Sequence, residues 1–388
     1  MKNPRARVVA AVGFGQLLAW ASSYYLLAIL ALPMAASLGL PAVAVYAMFS
    51  AALIVAAMLG PFAGHRVDRH GGRRVLLMSN PMFAAALLVM ASAQGPLTLA
   101  LGWLLLGAAM PFGLYDAAFS TLVALYREDS RRSIVGVTLI AGFASSVSWP
   151  LSAALEHHYG WRAACVAWAL LHLTLGLGIN FFLIPDSRPA PPQQPGAAAA
   201  AHAAAPSPRT LWLLAAIFAA SGFVFASLAA HLPRLLQAAG CTPAAAVFAA
   251  SLVGVFQVAA RLTEVGFLSR LHPLVSARIS VALHPVAALL LGVFGGPAAF
   301  VFTALHGAGV GLMTIVKGTL PLALFGPAGF GRRQGMLEAP SRVVQALAPV
   351  VFGLWLDRYG AGVLWISGGL VSLALLGVLA LGPARRSQ

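Results

Sequence analysis

Asp116 and Lys317 are the two ionisable residues that lie deepest inside long apolar stretches of this 388-residue chain. Asp116 precedes Arg127 by eleven residues, about 16 Å along a helix, and Lys317 precedes Phe325 by eight, about 12 Å. If those stretches cross a bilayer, both groups sit well inside hydrocarbon, where an ionised side chain costs at least roughly 2.5 kcal/mol unless it meets water or a partner. The chemistry open to such a pair is proton uptake and charge exchange. Protonation of Asp116, or arrival of a solute, would break its contact with Lys317 and bias one conformation over another. A static pair that satisfies two buried groups is the plainer alternative.

Other polar residues recur at helical spacing along the apolar stretches. Gln16, Trp20, Ser23 and Tyr24 share a face, as do Thr138, Ser145 and Trp149; Gln257, Arg261 and Glu264; His306, Thr314 and Lys317; and Glu338, Arg342 and Gln345. Each face could line a water-filled path or tie one helix to its neighbour. His172, His284 and His306 form no i, i+4 pair with another metal-ligating side chain, so no metal is expected. A satisfied core histidine is the default for His172 and His284, whereas His306 shares the stripe of Lys317. Cys165 and Cys241 form no CxxC pair and no disulfide framework. Neither a HExxH helix, a nucleophile-base-acid set nor a GxxxxGK[ST] loop occurs, so the chain reads as neither an enzyme nor an ATP-driven machine, and no cofactor is expected.

The elements that must hold these residues follow from composition. Charged residues are 9% and apolar residues 60% of the chain, against about 25% charged in an average soluble domain. Too few polar side chains exist to cover a water-facing surface, so lipid must cover it. The net charge of +15 would suit nucleic acid only if the bases shared one wet face. They alternate instead with apolar runs, the pattern of membrane insertion. Twelve runs near 20 residues long lie between residues 8 and 382, which predicts twelve transmembrane helices in an all-α membrane protein.

Basic residues orient these spans. Lys2, Arg5 and Arg7, then Arg66, Arg69, Arg73 and Arg74, then Arg127, Arg131 and Arg132 fall on one side, together with most of those in the second half; the other side receives Arg162, Arg234 and Arg358. The positive-inside rule puts both termini in the cytoplasm. Residues 186–209 are rich in Pro and Ala and can neither span nor pack, so they are expected to link a bundle at 1–185 to one at 210–388. The halves repeat: Leu32-Pro33 recurs as Leu232-Pro233, Gly113-Leu114 as Gly311-Leu312, and Tyr159-Gly160 as Tyr359-Gly360. A shift near 200 across several helices predicts a duplicated six-helix unit.

After the second span the chain reads Gly64-His65-Arg66-Val67-Asp68-Arg69-His70-Gly71-Gly72-Arg73-Arg74. This segment resembles the signature loop of the major facilitator superfamily, G-x-x-x-D-[RK]-x-G-x-[RK]-[RK], at every fixed position. With twelve spans and the repeat, the resemblance covers the whole chain. It implies two pseudo-symmetric six-helix bundles, alternating access by rocking of the halves, and a gating role for Gly64, Asp68, Arg69, Gly71, Arg73 and Arg74. Asp68 is expected to cap the helix that starts near Arg333 to Gly335, and Arg69, or Arg73 with Arg74, to pair with Glu128 and Asp129. The second half keeps a remnant, Ala260-Arg261-Leu262-Thr263-Glu264. Ser148-Trp149-Pro150 and Trp103 depart from the antiporter pattern.

The resemblance implies a bacterial inner-membrane carrier, monomeric, that moves a small solute with protons. Gly113-Leu114-Tyr115-Asp116-Ala117-Ala118-Phe119 and Gly311-Leu312-Met313-Thr314-Ile315 are similar, more softly, to branches that include arsenical-efflux carriers, so proton-coupled efflux is the first expectation. Trivalent arsenic prefers thiolates, however, and the bases Arg261, Arg342 and Lys317 outnumber Asp116 on the candidate faces. Uptake or exchange of a small organic anion, monocarboxylate-like, is therefore the alternative. A non-transporting membrane sensor is the minor one.

Overall fold

The computed structural model describes residues 4–126, 130–186, 208–325 and 330–381, with the backbone alone described at Asp68, Ser269 and 330–335. The chain clusters into two compact units, Met1–Pro192 and Gln193–Gln388. Most of the expected linker lies outside the described residues.

The first unit contains α1 (Pro4–Ala21), α2 (Leu26–Ser37), α3 (Ala42–His70), α4 (Gly72–Ala91), α5 (Pro96–Gly113), α6 (Tyr115–Tyr126), α7 (Ser130–Ala141) and α8 (Ala144–Leu171), then a π-turn (His172–Gly176) and α9 (Leu177–Leu183). The second contains α10 (Pro208–Ala238), α11 (Pro243–Gly266), α12 (Pro273–Phe294), α13 (Ala299–Phe325), α14 (Phe330–Tyr359) and α15 (Val363–Ala380). Among the described residues, ten helical stretches are long and apolar enough to cross a bilayer, and two of these reverse direction within themselves at a glycine. One reversal is at Gly160, with φ 81°. Across it Trp168 Nε1 donates to Ser152 Oγ at 3.0 Å, although sixteen residues of continuous helix would hold them about 24 Å apart. The other is at Gly360, with φ 54°. Both positions need a residue without a Cβ to enter the left-handed region at low cost.

The two units repeat one packing scheme. In the first, α5 packs on α3 and α4, and α1 on α7; in the second, α13 packs on α11 and α12, and α10 on α14. The same small residue admits the same close approach in each: a side chain on Gly107 would strike the Ala52 carbonyl, and one on Gly307 the Val253 carbonyl. Without water to drive helices together in lipid, such backbone proximity is a main source of cohesion.

Several crossings are broken, and their freed backbone groups are answered by neighbours. Between α1 and α2, Ser148 Oγ donates to the Ala21 carbonyl at 2.6 Å and Trp149 Nε1 to the Tyr25 carbonyl at 3.1 Å. Between α5 and α6, Leu114 is extended, and Gln16 Nε2 donates to the Gly113 carbonyl at 2.7 Å. His231 Nε2 lies 2.7 Å from the Pro349 carbonyl and fastens α10 to α14.

Candidate functional site

The loop between α3 and α4 makes a tight helix-to-helix turn at Gly71, whose φ of 82° explains that glycine. A side chain on Gly72 would strike the Thr121 hydroxyl, so this glycine seats α4 on α6. Among the described residues, no atom lies within 4 Å of the place a side chain on Gly64 would occupy. Arg73 donates to the Phe181 carbonyl at 2.6 Å, and its guanidinium stands 5.2 Å from the centre of the Phe181 ring. Arg7 donates to the Phe182 carbonyl at 3.2 Å. Two cations thus close the negative end of α9. Arg69 and Arg74 are exposed. The side chain of Asp68, the residues Glu128 and Asp129, and the side chains of 330–335 lie outside what is described, as do the latch and cap expected of them.

Asp116 belongs to the first unit, exposed in the first turn of α6, directly after the break at Leu114. Beside it runs an aromatic group: Trp20 and Tyr24 at 4.7 Å between ring centres, Trp20 and Tyr115 at 5.1 Å, and Tyr115 stacked on Phe119 at 4.8 Å. All four rings are half-buried. They present flat apolar faces beside a carboxylate, a surface suited to stacking on a planar group. Gln16, placed on the same α1 face by its spacing, is instead buried and bonded to Gly113.

Lys317 belongs to the second unit and has its ion-pair partner there, with Nζ 3.0 Å from Glu338 Oε2. The exchange with Asp116 expected from sequence would join residues of different units; within its own unit Lys317 is reached by Glu338. Both side chains are about one-fifth exposed, 24% and 19%, so the pair is open to a solute while partly shielded from water. Lys317 Nζ also lies 5.7 Å from the centre of the Phe218 ring. Helix α14 is held in place for this contact by Ser341, which donates to the Phe218 carbonyl at 3.1 Å, and by Gln345, which donates to Ser341 Oγ at 2.8 Å. Pro340, two residues after Glu338, removes one helical N–H and loosens the turn that carries it. Arg342 is exposed one turn on.

The rest of the second-unit set disperses. Arg261 donates to Thr314 Oγ1 at 3.3 Å, and Glu264 accepts from Ser276 Oγ at 2.7 Å, both buried. His306 is buried, stacked on Phe302 and 5.4 Å from the ring centre of His284. The stripe of His306, Thr314 and Lys317 thus meets three different helices, α12, α11 and α14. His172 fits the core reading, with Nε2 2.7 Å from Ser22 Oγ and Nδ1 3.0 Å from Asn80 Oδ1. Asn80 and Asn180 escaped sequence reasoning, although uncharged amides inside spans are marked by the same cost of burial as charges.

Ten long apolar helical stretches among the described residues, in two units that repeat one packing scheme, define a multi-pass membrane protein. A family model for the Major Facilitator Superfamily matches residues 12–316, and the chain belongs to that superfamily. A Gallate transporter of Pseudomonas putida is 34% identical over 170 residues, a match spanning 42% of this chain and 37% of that protein. Among solved structures, the nucleoside transporter NupG is similar with a TM-score of 0.75 at 16% identity, covering 97% of this chain and 99% of that one. A D-xylose-proton symporter gives 0.76 at 14%, with 99% of each chain covered. The human organic anion transporter MFSD10 gives 0.68 at 18%, over 97% and 100%. At such identities these structures speak for the fold.

Proposed function

We propose that this protein is a secondary transporter that moves a small organic anion, an aromatic or related monocarboxylate, across the inner membrane together with a proton, by alternating access. The observation that carries the reading is the Lys317–Glu338 pair, partly exposed within the spans at 3.0 Å. A solute carboxylate offers Lys317 the same charge-assisted bond that Glu338 makes. Once displaced, Glu338 is a carboxylate without its cation in a low-dielectric setting, and it takes a proton. Solute and proton then travel together. Partial identity to a gallate transporter, whose substrate is an aromatic carboxylate, supports the class. The one-sided distribution of Lys and Arg among the loops supports cytoplasmic termini, and a monomer suffices for the mechanism.

Arsenical efflux would have to rest on hydrogen bonding, because Cys165 is fully buried and the Cys241 thiol donates to the Gly296 carbonyl at 3.7 Å. The test is uptake into proteoliposomes with an imposed pH gradient, using a panel of hydroxybenzoates, short monocarboxylates and arsenite. Gradient-driven accumulation of a carboxylate is expected. Glu338→Gln should keep solute counterflow but lose the response to the gradient. Transport of arsenite alone, or an unchanged gradient response in Glu338→Gln, would refute the assignment.

A further inference from the structure

The first unit contains a buried polar seam that the transport reading does not use. Gln16 and Ser22 come from α1 and the turn after it, Ser79 and Asn80 from α4, His172 from the π-turn and Asn180 from α9. Most of its atoms are answered. His172 is held on both nitrogens, and Ser79 Oγ, Asn80 Nδ2 and Asn180 Nδ2 all donate to the Leu76 carbonyl, at 2.9, 2.9 and 3.0 Å. Gln16 is the exception. It is 2% exposed, its Nε2 donates to Gly113, and its Oε1 is buried with no protein partner. The acceptor role of the Gly113 carbonyl fixes which end of the amide is which, so the unanswered atom is the oxygen.

Gln16, Ser79, Asn80, Gly113, His172 and Asn180 line one small cavity with room for about one water molecule. Asn180 Oδ1 reaches toward it, 3.4 Å from where a side chain on Gly15 would begin. A buried amide oxygen left unpaired forfeits the hydration it had in the unfolded chain. A site this size with several polar neighbours meets the conditions for an ordered water, which needs two to four such partners.

We infer that this cavity binds a single water molecule, which gives one hydrogen to Gln16 Oε1 and the other to Asn180 Oδ1, and that Gln16 so fixed is a positioning residue for the break that presents Tyr115 and Asp116. The terminal carbonyls of α5 need partners from outside their own helix. Gln16 supplies one at Gly113; Leu114 is extended, and α6 sets off with Asp116 in its first turn. The water closes the far end of the Gln16 amide, which stops it from turning away. Three crossings thereby fix the direction in which a fourth resumes.

The test uses the full chain in lipid nanodiscs. Amide exchange at residues 114–118 should rise about tenfold in Gln16→Met, which fills similar space but makes neither bond, while residues around Gly160 stay unchanged. Gln16→Glu should match wild type while its carboxyl is neutral, since O–H then donates to Gly113 and C=O faces the water, and should match Gln16→Met above the pH at which it ionises. A merely space-filling role would show no such pH step. A wild-type density map fine enough to show waters should place one within hydrogen-bond reach of Gln16 Oε1. Unchanged exchange in folded Gln16→Met, a pH-flat Gln16→Glu, or no density at that oxygen would overturn the inference. Thermal stability should be equal in sodium, potassium and choline chloride, and a sodium-specific rise would overturn water in favour of a cation.

Discussion

Lys317 Nζ and Glu338 Oε2 are 3.0 Å apart across 21 residues of sequence and join α13 to α14. Because both side chains keep about a fifth of their surface open, the pair should behave neither as a free surface contact nor as a sealed one. Removing one partner should cost more than removing both. We expect Lys317→Met to weaken carboxylate binding at least tenfold, and Lys317→Met with Glu338→Gln to restore fold stability but not binding. A double-mutant cycle read by thermal unfolding and by isothermal titration checks this; additive effects would mean that the pair contributes nothing of its own.

The duplicated close approaches make a second prediction. Gly107→Val and Gly307→Val must push α5 from α3 and α13 from α11, and each should destabilise by about 1–3 kcal/mol. Gly160→Ala and Gly360→Ala should cost about 1–2 kcal/mol each through left-handed backbone alone. Gly178→Ala and Gly369→Ala, with open space at both sites, serve as controls that should match or exceed wild type. Melting in mild detergent with a fluorescent thiol-independent probe would rank them. Equal losses in all six variants would show that helix packing in the two units does not rest on these positions.

The duplication was legible because it is written in short local phrases: Tyr159-Gly160 and Tyr359-Gly360 mark the two reversals. The crossings were legible from apolar runs whose length the bilayer sets. The contact of Lys317 with Glu338 was not, because an ion pair depends on which side chains face each other at a few ångströms, and Ser341 holds α14 against the Phe218 carbonyl beside it. Gln16 was grouped with Trp20 and Tyr24 by spacing, but α1 ends at Ala21, before Tyr24, and Gln16 is buried against the Gly113 carbonyl. The π-turn at His172–Gly176 adds a residue to one helical turn, and no periodicity shows where that will happen.

Arg234 and Asp357 form a second ion pair, at 2.7 Å, with exposures of 18% and 46%. It ties the end of α10 to the end of α14, beside the buried His231–Pro349 contact that already does so. Asp357→Asn should therefore change stability by less than about 1 kcal/mol, and the difference should shrink further in molar salt. Unfolding scans at low and high ionic strength test this. A loss that salt leaves untouched would show that the pair is shielded more deeply than its exposure indicates.

The two cysteines should differ in reactivity in a way set by burial and not by sequence neighbours. Cys165 is fully buried in α8, while Cys241 lies in the short turn between α10 and α11 and is half-buried. Burial pushes the Cys241 thiol above its ordinary range. The thiolate is the nucleophile, so at neutral pH Cys241 should react with maleimide more slowly than a free thiol, and its rate should keep climbing at pH values where a free thiol has levelled off. The folded state keeps this proton over a window in which the unfolded chain loses it, so stability falls as pH rises through that window and levels off above it. Labelling should stop in Cys241→Ser and appear at Cys165 only on unfolding. Faster labelling of Cys241 than of glutathione at pH 7, or labelling of Cys165 in the folded protein, would show that the turn is open and that α8 does not seal its thiol.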